Sequence, residues 1–253
     1  MTAMNKPPVV SRSEWLAAID SLRAREKAHT REGDVIAAAR RRLPMTEVDA
    51  STPLVGGGGE VPLIDAFEGR AQLFASFHMW HDGRAAADQC EGCTFFSGQV
   101  RELSYLHQRD VTFAVFCQGP FEESERYRRF MGWDTPWYSV PATSRERLVA
   151  GRHFGMKVCY LTDGDRVFET YWTTSRGVEP MEPSYGILDM TVYGRQETWE
   201  DSPTGWPQPY ETRGQQFRKD GRPTAQWARI AAGHDDDLHG ERSGTGGGSG
   251  CCS

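Results

Sequence analysis

The chain has 253 residues, 38 % hydrophobic and 25 % charged, with eight Trp and a formal net charge of −6. That length suits one large domain, or one domain with extensions, and allows a sizeable core. The acidic balance excludes a general nucleic-acid binder, which needs a basic face for phosphates, and no apolar run approaches the roughly 20 residues of a membrane-spanning helix.

Residues 1–10 read as a disordered N-terminus punctuated by Pro7-Pro8. The opening stretch has neither a long apolar segment nor a small-residue cleavage site, so the expected location is cytoplasmic. Residues 11–48 read as an N-terminal helical extension. Ser11 and Glu14 stand at capping-box spacing, and Trp15, Leu16, Ile19 and Leu22 recur at helical intervals. Gly33 is expected to break or bend this helix and Pro44 to end it. Glu26, Glu32 and Asp34 dilute the arginines between Arg23 and Arg42, so the helix reads as packed on the domain or on a partner subunit rather than on a membrane. A homodimer is compatible with that helix and with the aromatic content.

Residues 49–195 read as the main domain. Pro53–Glu60 (PLVGGGGE) is a flexible hairpin tip, without the Lys-Ser/Thr of a phosphate loop. A short edge strand and a helical turn follow over 61–67. The apolar run Ala71–Phe77, a polar loop, Cys90-Glu91-Gly92-Cys93, a segment of helical spacing and the apolar run Val111–Cys117 then spell strand, loop, CxxC, helix, strand. Such a βαβ unit implies two parallel, buried strands.

FEESERYRRFMGW from Phe121 is a helix with acids early and arginines late. WDTPWYSVP is extended, and TSRERLVAGRHFG is a short helix capped by Thr143 or Ser144. Met156–Leu161 and Arg166–Trp172 flank an Asp-Gly turn and form a hairpin, so the sheet is mixed. Pro183–Asp189 holds a helical turn or two. Residues 196–232 read as an irregular extension held to the domain by Trp199, Trp206 and Tyr210, and 233–253 as a disordered Gly/Ser tail ending in Cys251-Cys252.

A CxxC at the mouth of a helix inside a βαβ unit has the sequence form of a thioredoxin-like redox site. Two thiols in the first helical turn share one face, where backbone N–H groups and the helix dipole stabilise a thiolate. The more N-terminal sulfur is expected to be the exposed one, which makes Cys90 the nucleophile and Cys93 the resolving thiol. Asp88 and Glu91 oppose activation, and Arg84 could offset them if its loop folds back. Trp80 either shields the thiols or anchors the loop.

The blocks WLAAIDSLRAREKAHTREGDVIAAARRRLP, CEGCTFFSGQVRELSYLHQRDVTFAVFCQGP, RFMGWDTPWYS, GDRVFETYW and SYGILDMTVYGRQETW together resemble the bacterial domain-of-unknown-function 899 family over about residues 11–210. That family is described as thioredoxin-like, predicted dithiol-disulfide oxidoreductases. The resemblance implies an α/β, thioredoxin-like mixed sheet flanked by helices, with Cys90 and Cys93 as its redox pair. The expected partners of a thiol-disulfide exchange by this pair are a protein or small-molecule disulfide or thiol substrate and an unidentified reductant, with no organic cofactor.

Two departures from better-known thioredoxin-fold enzymes are visible. Arg152–Met156, where thioredoxins place a cis-proline, has no Pro, and the loop before Cys90 lacks the peroxiredoxin pattern. The missing Pro leaves a zinc alternative open, a His₂Cys₂ set of His78, His81, Cys90 and Cys93. Inactive structural thiols are the third reading. Cys117 and Cys159 read as small hydrophobes inside strands. Cys251 and Cys252 read as an exposed tail, a redox relay to the central pair or a soft-metal site.

Overall fold

The computed structural model describes residues 5–211 and 215–236. Helix α1 (Arg12–Arg40) opens with the expected capping box, the Ser11 hydroxyl facing the Glu14 amide and the Glu14 carboxylate accepting from the Ser11 amide. It runs unbroken through Gly33, contrary to the expected break. A Cβ at Gly33 would meet no neighbour within 4 Å, so glycine there costs only its propensity, about 1 kcal/mol.

Short strands β1 (Thr46–Val48), β2 (Pro53–Gly56) and β3 (Gly59–Pro62) follow, the last two forming the glycine-tipped hairpin. A 3-10 turn over Leu63–Phe67 leads into β4 (Gln72–His78). Helices α2 (Glu91–Gln99) and α3 (Ser104–His107) then cross over to β5 (Val111–Cys117), which pairs with β4 in parallel from Gln72↔Val111 to His78↔Cys117. Helix α4 (Phe121–Met131), strand β6 (Trp137–Ser139) and helix α5 (Ala142–Val149) lead to the hairpin of β7 (Lys157–Asp163) and β8 (Arg166–Thr173). The α5 N-cap is Pro141, not Thr143 or Ser144, because the fixed proline φ starts the turn; the Ser144 hydroxyl instead donates to the Pro53 carbonyl.

Among the described residues, eight strands form one mixed sheet in the order β1-β8-β7-β4-β5-β6-β2-β3. Strand side chains alternate between faces. Leu73, Ala75 and Phe77 of β4 join Ala114 and Phe116 of β5 in one core, while Phe113, Val115 and Cys117 of β5 pack with Tyr127 and Phe130 of α4, Trp133 and Trp137 in the other. Both faces of the central pair are therefore buried, as a parallel crossover demands.

Helix α6 (Pro183–Asp189) is tied to α2 by Ser184, whose amide and hydroxyl both donate to the Gln99 side-chain oxygen. Beyond residue 211 the segment read as irregular carries a two-residue ladder of β9 (Arg218–Lys219) with β10 (Arg222–Pro223) and a helix, α7 (Thr224–Ala231). Cys251 and Cys252 lie outside the described residues. No helix among the described residues is long and apolar enough to cross a membrane.

Candidate functional site

The unit β4-α2-β5 sets both thiols. Cys90 is the N-cap of α2, and its Sγ accepts from the Cys93 amide at 3.4 Å. Cys93 lies in the first turn, and its Sγ accepts from the Met79 amide, just past β4, at 3.2 Å. Amide donors and a helix N-terminus stabilise negative charge on sulfur. Neither sulfur is in a disulfide, and both residues border a cavity of about 800 Å³.

Both residues of the pair are buried, Cys90 1 % exposed and Cys93 7 %. The C-terminal segment reaches the residues on either side of Cys90. Arg218 of β9 donates to the Ala87 carbonyl at 2.9 Å, to the Gln89 carbonyl at 3.1 Å and to the Glu91 carboxylate at 3.1 Å. Gln226 of α7 donates to the Ala86 carbonyl and the Tyr127 hydroxyl, both at 2.7 Å. Tyr127 in turn meets the Thr94 hydroxyl at 2.7 Å, and Thr94 donates to the Cys90 carbonyl at 2.8 Å. The segment before Cys90 is thus tied to β9 and α7, while Met79, Cys90 and Cys93 all line the cavity.

The counter-charge to Glu91 is Arg218. Arg84 is exposed, and its carbonyl accepts from buried Gln89, whose side-chain amide also brackets the His81 backbone on both sides at 3.0 and 2.9 Å. Trp80 is buried edge-on to Tyr127 with ring centroids 5.3 Å apart, and a Cβ at Gly119 would overlap its indole. It anchors the loop and borders, with His81, a separate cavity of about 410 Å³.

His78 ends β4 within aromatic rings, 5.2 Å from Trp137 and 6.1 Å from Trp133 between centroids. Its Nδ1 sits 2.9 Å from the Ser97 hydroxyl and its buried Nε2 has no hydrogen-bond partner. Burial, with the charges of Lys157 and His81 adding, pushes its pKa down to about 3, so the ring is neutral. The zinc set is not assembled. Among the described residues no three His, Cys, Asp or Glu side chains stand close enough to hold a metal, and His78 is turned to Ser97 inside its ring cage. These residues do not fit the ion. Burial pushes the Cys117 thiol up to about 12 and the Cys159 thiol up to about 11, as expected of packed hydrophobes.

Sequence reasoning missed Gln89, Arg218 and Gln226. The two clamping residues sit 99 to 140 positions from what they hold, and no local periodicity marks such a pair.

Fold and site define a mixed α/β protein with a buried CxxC pair at the start of the helix that joins two parallel central strands. The chain belongs to the domain-of-unknown-function 899 family, described as a bacterial protein of unknown function, whose model matches residues 4–229. No curated protein is similar enough to the chain to be matched.

Proposed function

We propose that this chain is a dithiol-disulfide oxidoreductase of thioredoxin-like architecture, with Cys90 and Cys93 as its redox pair. The carrying observation is that both sulfurs accept an amide hydrogen bond at the α2 N-terminus and both border one cavity. The antiparallel β7-β8 hairpin beside β4, completing a β-α-β-β-β core, agrees with the architecture.

In the proposed reaction one thiolate attacks a substrate disulfide, the S–S bond breaks, and one substrate sulfur leaves and takes a proton. The second thiolate then displaces the other sulfur, forming the Cys90–Cys93 disulfide. Two electrons pass to the substrate, and an external thiol resets the pair. In this proposal Cys93, the less buried of the two residues, attacks first, the reverse of the order expected from sequence.

Turnover of a small disulfide with dithiothreitol as reductant tests this. Cys90→Ser and Cys93→Ser each abolish turnover, and only Cys90→Ser accumulates a stable mixed disulfide. Undiminished turnover in both variants contradicts the reading.

A further inference from the structure

We infer that the cavity beside the dithiol binds a small, uncharged aromatic disulfide; this rests on the exchange reading above and names its substrate class. The cavity of about 800 Å³ falls within the range of small-molecule sites, about 300 to 1,000 Å³. With Cys90 and Cys93 only 1 % and 7 % exposed, a disulfide on a folded protein surface does not reach sulfur, whereas a molecule inside the cavity lies against it.

The walls are rings: Phe96, Phe154, Trp172, Tyr185, Trp199 and Phe217. Phe96 and Phe217 meet edge-on with centroids 6.1 Å apart, and Tyr185 lies 6.2 Å from Phe217. Aromatic guests stack or pack edge-on in such a lining.

The acids and arginines of the wall already have partners. Arg152 grips both carboxylate oxygens of Glu169 at 2.6 and 2.9 Å. Arg176 pairs with Glu179 at 2.9 Å and lies over the Trp199 ring at 4.2 Å. Glu179 also takes Arg195, and Glu197 accepts from the Trp199 indole. A charged guest would lose its water and find these groups already hydrogen-bonded or ion-paired, so the site selects an uncharged one.

The Cys93 thiolate attacks one aryl-bound sulfur, and the ring-stabilised arylthiolate leaves and is protonated. Cys90 then displaces the second arylthiolate. The chain loses two electrons and ends as the Cys90–Cys93 disulfide, and the substrate becomes two aryl thiols.

The test compares the reduced full chain with dithiodipyridine, an aromatic disulfide uncharged at neutral pH, with hydroxyethyl disulfide, uncharged and aliphatic, and with oxidised glutathione. Each rate is divided by that of the same reagent with free dithiothreitol, which removes intrinsic reactivity. The expected result is a normalised preference of about tenfold for dithiodipyridine, saturation with its concentration, and inhibition by the unreactive analogue diphenyl sulfide. Trp172 and Trp199 are 43 % and 42 % exposed, so Trp172→Ala and Trp199→Ala fold, and each lowers the preference several-fold. Equal normalised rates with no saturation overturn the aromatic site and leave exchange standing. Failure of every reagent to link Cys90 to Cys93 overturns exchange and the substrate assignment with it. Diphenyl sulfide titrated into a Cys90→Ser, Cys93→Ser double variant, followed by tryptophan fluorescence, then separates the two failures: saturable binding retains the aromatic cavity, and none removes it.

Discussion

Arg218 holds Glu91, the residue between Cys90 and Gly92, from 127 positions away, with Nε 3.1 Å from the carboxylate. The same guanidinium satisfies the carbonyls of Ala87 and Gln89, so one side chain both neutralises the acid beside the thiols and fixes the turn that hides Cys90. Arg218→Ala leaves a half-buried acid and two carbonyls without that donor, a loss of about 2 to 3 kcal/mol in urea unfolding. Alkylation of Cys90 in the native protein is expected to accelerate with it. Arg218→Lys restores the charge but not the fork, and recovers only part of the loss.

Acid should weaken the fold through His78. Its folded pKa, about 3, lies below the unfolded value near 6.5, so the unfolded chain binds the proton first. Stability is full above the unfolded value and falls as pH drops from there toward the folded one. His78→Gln keeps a partner for Ser97 and cannot titrate. Urea midpoints at about pH 7 and about pH 4.5 should therefore differ less in the variant than in the parent; an unchanged difference contradicts the assignment.

Glu182 works in the opposite sense. Burial raises its carboxyl to about 8, against the pull of Lys157, and one of its oxygens is buried without a hydrogen-bond partner. The folded chain holds that proton where the unfolded chain has lost it, so the associated stability is full below the ordinary carboxyl range and disappears as pH rises through about 8. Glu182→Gln, always neutral, should gain on the parent between about pH 5 and about pH 9 in urea unfolding. A parallel decline in both proteins would falsify this.

The central unit was legible because each part has a local cause. Apolar runs at 71–77 and 111–117 with a capped helix between them can only bury both faces by pairing in parallel, and Asp163-Gly164 between alternating strands makes a hairpin. Gly33 misled because propensity is a weak prior once the helix continues on both sides. The α7 helix was hidden by the prolines and glycines around it, although its eight residues carry no breaker. The bonds of Arg218 and Gln226 back across the chain were not legible at all, and the cavity wall likewise gathers rings from α2, the 151–156 loop, β8, α6 and Phe217, which are far apart in sequence.

Helix α1 contributes little to the stability of the domain. It is 29 residues long with none buried, and its attachment includes the Arg40 guanidinium 5.1 Å from the Tyr171 ring. Removing residues 1–43 should change unfolding free energy by no more than about 1 kcal/mol. Trp15, Leu16, Leu22 and Ile36 are all exposed on it, and the homodimer that the sequence is compatible with would pair through this helix. Sedimentation should then show a dimer for the full chain and a monomer for the truncated one; a dimer that survives truncation places the contact elsewhere.

The most direct measurement is the redox titration of Cys90 and Cys93. The reduced protein is equilibrated in glutathione buffers of graded potential, free thiols are trapped, and each cysteine is read by peptide mapping. The account expects Cys90 and Cys93 to oxidise together, as one two-electron step that either serine substitution abolishes, with Cys117 reduced throughout. Cys90 and Cys93 remaining free thiols in the most oxidising buffer, with the fold intact, would contradict it.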